Sequence, residues 1–207
     1  MSAKNPFANL TKIDDKTAAD VVRLGKLKFP TKIETPADAP VSHLIKELVA
    51  QNLLVDALKV LAMALPGREA VWWGCLAARD LMPEGKKTPQ LEAAEAWVFK
   101  PVLANKQKMR PYFEEPGGMD VAMCEAGFNV PMPDDEEPPA TPPHLVGLLA
   151  FTAQIKSHFS SKIPEEIALR GELLLSRGLD IAAGGSGQVD SAKPKENKAI
   201  GEASRAG

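Results

Sequence analysis

The sequence predicts an all-α protein, either a compact bundle of about six to eight helices or a set of stacked helical hairpins. Three observations predict it. Apolar residues recur at spacings of three and four between breakers, and apolar–polar alternation over four or more positions is hard to find. Hydrophobic residues make up 44% of the 207 positions but aromatic residues only 5%, so alanine and the aliphatic residues must supply the packing. Prolines at 66, 89 and 164 stand immediately before or within periodic apolar runs, where a helix's first turn accepts them.

The elements follow in order. Asp14 or Asp15 is placed to cap a short, weak helix carrying Ala18, Val21, Val22 and Leu24 towards Gly25. Proline and threonine then make Phe29–Pro40 an extended arm or loop. Ser42 is a good N-cap for Leu44, Ile45, Leu48 and Val49, and Leu54, Val55, Leu58, Leu61 and Ala62 continue the pattern after Gln51-Asn52. This is a helix pair or one bent helix. Pro66 opens the next helix, which runs to about Leu81 and stops at Met82-Pro83-Glu84-Gly85. Thr88-Pro89 repeats the cap-then-proline signal ahead of Leu91, Ala94, Trp97 and Val98, and Pro101 kinks or ends that helix. Val102–Phe113 and Met119–Gly127 are shorter candidates, separated by Gly117-Gly118.

The stretch Pro131–Pro143 holds six prolines and four acidic residues in thirteen positions, which excludes a helix or a central strand. After it, Leu145, Leu148, Leu149, Thr152, Ile155 and Phe159 mark an amphipathic helix that needs apolar surface to cover. Pro164 opens the last helix, with Glu165 and Glu166 in its first turn and Ile167, Leu174 and Ile181 at seven-residue spacing. The expected organisation is therefore an N-terminal arm with a weak helix (1–37) and one helical domain (38–183) holding the acidic Pro-rich loop (131–143). A disordered tail rich in Gly, Ser, Lys and Glu follows (184–207).

Bulk properties narrow the function classes. A net charge of −2 implies no general attraction to nucleic acid. Two cysteines, Cys75 and Cys124, are too few for a secreted disulfide scaffold. The start Met1–Pro6 lacks an apolar signal run, and Lys46, Glu47, Asp56 and Lys59 interrupt the most apolar stretch. A cytoplasmic location without membrane insertion is the expectation.

No catalytic constellation is recognisable. His43, His144 and His158 are scattered, with no pair at the i, i+4 spacing that would put two imidazoles on one helix face, and there is no CxxC. No metal or other cofactor is expected. No GxSxG elbow occurs, and Gly184-Gly185-Ser186-Gly187 lacks the Lys-Ser/Thr of a phosphate loop, so it reads as a flexible linker. Cys75 has Arg79 one turn away, which favours a thiolate, but a cysteine in an apolar helix is more often a small core residue.

Charge is segregated. Between Pro111 and Ile155 there is no lysine or arginine but eight carboxylates: Glu114, Glu115, Asp120, Glu125, Asp134, Asp135, Glu136 and Glu137. With −2 on the whole chain, the remainder carries +6. Upstream, Lys100, Lys106, Lys108 and Arg110 read as a solvated basic helix. Such a dipolar surface attracts a basic protein partner to its acidic side.

The distinctive element is the tryptophan helix. On it Arg68, Trp72, Cys75 and Arg79 line one stripe, and Glu69, Trp73, Leu76 and Asp80 the next. Adjacent tryptophans point about 100° apart, so one anchors the core while the other reaches a seam or the surface. Which does which is not set by the sequence. Arg68 is placed to stack on Trp72, and Glu69 lies near the positive end of the helix dipole.

The pattern Leu65-Pro66-x-Arg68-Glu69-Ala70-Val71-Trp72-Trp73 resembles that of a family of uncharacterised bacterial proteins, a domain of unknown function often encoded near type VI secretion genes. The resemblance is strongest over 58–80 and extends more weakly over about 42–160. Gly67 departs from the basic residue more common there. The resemblance supplies no catalytic residues and implies a secretion accessory protein, an effector adaptor or chaperone. The expected partner-binding residues are Arg68, Glu69, Trp72, Trp73, Arg79, Asp80, Glu114, Glu115, Asp134, Asp135, Glu136 and Glu137. Two alternatives stand beside this. One is a small helical enzyme with Glu69, Cys75, Arg79 and Asp80 around a cleft. The other is an immunity protein that blocks a toxin with its acidic segment.

Overall fold

The computed structural model describes residues 5–84, 86–114, 117–135 and 141–189. Their regular structure is helical: α1 (Ala18–Gly25), α2 (Val41–Ala50), α3 (Leu54–Ala64), α4 (Gly67–Asp80), α5 (Pro89–Phe99), α6 (Leu103–Met109) with a 3-10 turn (Arg110–Tyr112), α7 (Met119–Phe128), α8 (Leu145–His158) and α9 (Pro164–Ala182). This is the all-α architecture that the sequence predicts, with both short candidates formed, as α1 and α6. A lone bridge joins Thr17 to Pro40. No described helix is long and apolar enough to cross a membrane.

Several boundaries rest on local chemistry. Thr88 caps α5, its hydroxyl accepting from the Leu91 amide at 3.3 Å, with Pro89 in the first turn as expected. Two expected caps are different. Thr17, not Asp14 or Asp15, caps α1: its Oγ1 accepts from the Asp20 amide and donates to the Asp20 carboxylate. Ser42 lies inside α2, which Pro40 precedes, because the arm supplies the partner that a cap would: the Val41 amide donates to the Lys16 carbonyl. Asn52 adopts a left-handed conformation (φ 59°), which separates α2 from α3 and makes them a pair rather than one bent helix. The arm itself is part of the core. Leu10, Ile13 and Leu27 are buried, and the Lys16 ammonium donates to the Ala64 carbonyl at 2.6 Å.

α4 lies at the centre and touches α5, α7, α8 and α9. Trp73 is its pivot. Fully buried, it donates from Nε1 to the Leu174 carbonyl of α9 at 3.0 Å, and its own carbonyl accepts from Gln154 Nε2 of α8 at 3.0 Å. Glycines let the neighbours close on it. A Cβ at Gly178 of α9 would lie 2.8 Å from the indole ring and 2.6 Å from Leu61. At Gly74 it would lie 2.1 Å from the Met123 sulfur and 3.5 Å from the Ala150 backbone of α8.

This close approach inverts α8. The face it buries is small or polar: Gly147, Ala150, Ala153, Gln154, Ser157 and His158. At Gly147 a Cβ would meet the Ala62 carbonyl at 2.8 Å. Of the large apolar set expected to be covered, Leu148 and Phe159 are exposed and Leu145, Thr152 and Ile155 only half-buried, while Leu149 is half-buried and packs against the core. Periodicity located the stripe correctly but not the side that packs, because the core here selects for closeness rather than for size.

Trp73→Ala should therefore cost about 3–5 kcal/mol of unfolding free energy, as large aromatic truncations in a core do. Gly178→Ala should also destabilise, since overpacking against a rigid indole (about 1–3 kcal/mol) outweighs the helix-propensity gain of about 1 kcal/mol. Urea unfolding of both variants checks this, and a Gly178→Ala variant more stable than wild type would refute the packing account.

Candidate functional site

Because Trp73 points inward, Trp72 is turned to the rim of α4, where it is half-buried. Its indole Nε1 donates to the Ser186 carbonyl at 2.7 Å. The Phe99 ring stands edge-on to it, 5.2 Å between centroids, at the C-terminus of α5. The Arg79 guanidinium lies over its ring at 5.0 Å, so Arg79 makes the stacking contact expected of Arg68. Arg68 instead donates from Nε to the Val98 carbonyl at 2.7 Å, which ties α4 to α5. Lys12 of the arm pairs with Glu69 at 3.1 Å. Together Lys12, Arg68, Glu69, Trp72 and Phe99 border an open cleft of 260 Å³.

The chain beyond α9 forms one wall. Residues 184–189, assigned to the tail by composition, fold back on α4. Gly184 and Gly187 take positive φ (92° and 73°), and the Gly187 amide donates to the Asp180 carboxylate at 2.8 Å. Residues 190–207, the rest of the expected tail, lie outside the described residues.

Arg79 and Asp80 are engaged elsewhere. The Arg79 Nε donates to the Glu95 carboxylate of α5, which also receives the Lys87 ammonium at 2.6 Å. Glu95 is buried. Burial alone would raise its pKa, but the hydrogen bonds and charges of Arg79 and Lys87 outweigh burial and hold the carboxyl below its ordinary value. Asp80 accepts from Arg177 of α9 at 2.6 Å and from the Ser157 hydroxyl of α8 at 3.2 Å, closing the C-terminal end of α4 onto both helices. It borders a second cavity, of 410 Å³, with Arg79, Arg177 and Gln188.

Cys75 is fully buried, and burial pushes its thiol well up, with the Glu95 carboxylate adding to the effect and Arg79 opposing it. Arg79 thus does not activate it. Burial likewise pushes Cys124 up to about 12. The four residues of the enzymatic alternative are therefore not gathered: Glu69 borders the first cleft, Arg79 and Asp80 the second, and Cys75 neither. Among the described residues no group of three or more His, Cys, Asp or Glu is placed to hold a metal ion.

The acidic set also divides. Glu114 and Asp134 are exposed. Asp135 is spent internally, with its carboxylate on the Lys106 ammonium at 2.6 Å and on the Met132 amide at 2.8 Å. Lys106, read from sequence as part of a solvated basic helix, is buried and also donates to the Val130 carbonyl at 2.8 Å. A four-carbon stem lets it cross under Phe128 to reach that carboxylate. Glu115, Glu136 and Glu137 lie outside the described residues.

Phe99 was missed by the sequence reading. The available signal was its phase: it follows Glu92 and Ala96 on the solvent stripe of α5 rather than Leu91, Ala94 and Trp97 on the buried one.

The model of a protein family described as a family of unknown function, DUF6931, matches residues 44–182, from α2 to the end of α9. The chain belongs to that family. The DUF6931 match covers the tryptophan helix, α8 and the whole of α9, and so extends beyond the segment over which the sequence motif suggested a resemblance. No curated protein and no solved structure matches the chain.

The Glu95 cluster makes a pH prediction. A carboxyl held below its unfolded value contributes stability that is present above the unfolded pKa, about 4.5, and is lost as pH falls through the folded one. Glu95→Gln should be less stable than wild type at neutral pH and lose less stability on acidification below about 4.5. Urea midpoints measured from pH 7 to pH 3 test this, and parallel acid limbs in the two proteins would remove Glu95 as a contributor.

Proposed function

We propose that this chain is a non-catalytic protein-interaction module, a type VI secretion accessory protein that acts as an effector adaptor or chaperone. The observation that carries the interaction reading is Phe99. It is 66% exposed, stands edge-on to Trp72, and sits at the mouth of a cleft bordered by Lys12, Arg68 and Glu69. Large exposed aromatics beside arginines are the residues that carry binding energy at protein interfaces. The secretion context rests on the resemblance of the Leu65–Trp73 pattern. The acidic residues contribute steering rather than a contact core, since charged rims act mainly on association rates.

The test is affinity capture of the tagged protein from a bacterium that encodes it. A secretion effector or apparatus component should be enriched, and Phe99→Ala should reduce its recovery by about tenfold or more, the loss expected for a hot-spot aromatic. Wild-type capture that yields no secretion protein ends the secretion reading. Equal recovery by Phe99→Ala moves the contact away from this cleft.

A further inference from the structure

The C-terminal end of α4 opens on the 410 Å³ cavity, which is separate from the Trp72–Phe99 cleft. Two arginines border it together, Arg79 from α4 and Arg177 from α9. The chain at 187–189 forms another part of its wall. That segment is tied down on both sides of the turn, by the Gly187 amide on Asp180 and by the Trp72 indole on the Ser186 carbonyl. Leu76 and Val189 are the only large apolar residues in the lining, so the cavity suits a polar occupant.

The internal contacts of the two arginines leave each with a complete pair of donors. Arg79 donates only from Nε, to Glu95, and keeps Nη1 and Nη2. Arg177 donates only from Nη1, to Asp80 at 2.6 Å, and keeps Nε and Nη2. Each remaining pair is one of the edges by which a planar guanidinium grips two oxygens at once. Both pairs are open to solvent. Among the described residues, the one buried arginine nitrogen without a partner is Nε of Arg170.

The carboxylates nearby are already answered. Oδ2 of Asp80 accepts from Arg177 and from Ser157, with Nη1 of Arg170 at 3.7 Å. Glu95 holds Arg79 and Lys87, and Asp180 accepts the Gly187 amide. In the lining itself two guanidinium groups face one carboxylate, which leaves the cavity electropositive.

We propose that this cavity is an oxyanion site that takes a phosphate group, either free or at the end of a small phosphate monoester. A carboxylate is planar, and a single guanidinium edge meets both of its oxygens. Two edges brought from two helices suit a tetrahedral group instead. Its terminal oxygens point in different directions, and a phosphate monoester carries about −1.5 to −2 charge at pH 7. The volume leaves space beside the phosphate for the rest of a small ester.

The test is a nuclear magnetic resonance titration of the full chain with inorganic phosphate, at constant ionic strength in chloride. Saturable one-to-one binding with a Kd below about 1 mM is expected, and the Nε–H resonance of Arg177 should be among those that shift. Gln188 is exposed, and only its backbone amide makes a hydrogen bond. Gln188→Glu therefore puts a carboxylate beside the arginines without removing a folding contact, and it should weaken phosphate binding by about tenfold or more. Arg177→Lys keeps a cation facing Asp80 but loses the two-donor edge, and should weaken binding by about tenfold. Glycerol 3-phosphate separates the two sources: binding tighter than that of inorganic phosphate assigns the site to an ester, and equal or weaker binding assigns it to the free ion. Titration without saturation overturns the proposal. So does an unchanged affinity in Gln188→Glu, which places the anion elsewhere, or succinate bound as tightly as phosphate, which makes the site one for carboxylates. Capture through Phe99 does not involve this cavity, so the two experiments are read separately.

Discussion

The structure depends on the burial of Trp73 at the centre of α4. One indole occupies the space where α3, α8 and α9 meet, and its N–H and the carbonyl of its residue are both satisfied by neighbouring helices. A large ring at a three-helix junction requires small residues around it. Gly178 and the Gly74–Ala150 contact meet that requirement, and they draw the surrounding backbones close. Two consequences follow from geometry alone. Trp72, one residue earlier, is rotated to the rim, where it meets Phe99 and Arg79. α8, pressed against α3 and α4 through Gly147 and Ala150, fully buries only small and polar residues, and Leu148 is left exposed.

Charged residues take a different part from the one their spacing suggests. Lys106 with Asp135, Arg79 and Lys87 with Glu95, and Asp80 with Arg177 each link elements distant in sequence. Pairs of this kind add little net stability, because desolvation offsets much of the Coulomb attraction, but losing one partner leaves an unpaired buried charge. They act as registration contacts. Lys106 and Asp135 hold the start of the Pro-rich loop on α6, and Asp80 sets α9 against the end of α4. Of the described members of the acidic set, Glu114 and Asp134 stay exposed, and Asp135 takes a structural role instead.

The Trp72–Phe99 cleft joins an exposed ring to arginine and lysine side chains, whereas the outer face of α8 carries no charged residue before Lys156. Membership of DUF6931 places this arrangement of helices in a family without adding an activity to it.

The helical class, the breakers at Pro66, Pro89, Pro101 and Pro164 and the Thr88 cap were determined by the sequence itself, which left a pair or one bent helix open at Gln51-Asn52. Each of these depends on interactions within a few residues: a missing N–H, or a hydroxyl reaching an amide three positions on. The facing of the helices was decided only by tertiary structure. Periodicity marks an apolar stripe but does not say whether a core takes its large or its small side. On α8 the close approach of α3 and α4 chose the small one. The choice between Trp72 and Trp73, the burial of Lys106 and the exposure of Phe99 are of the same kind. Each was set by contacts across tens of residues, for which neighbouring positions in the chain carry no signal. The sequence identified an all-helical protein with a distinctive tryptophan pair, and packing around one of the two indoles determined which surfaces were left open.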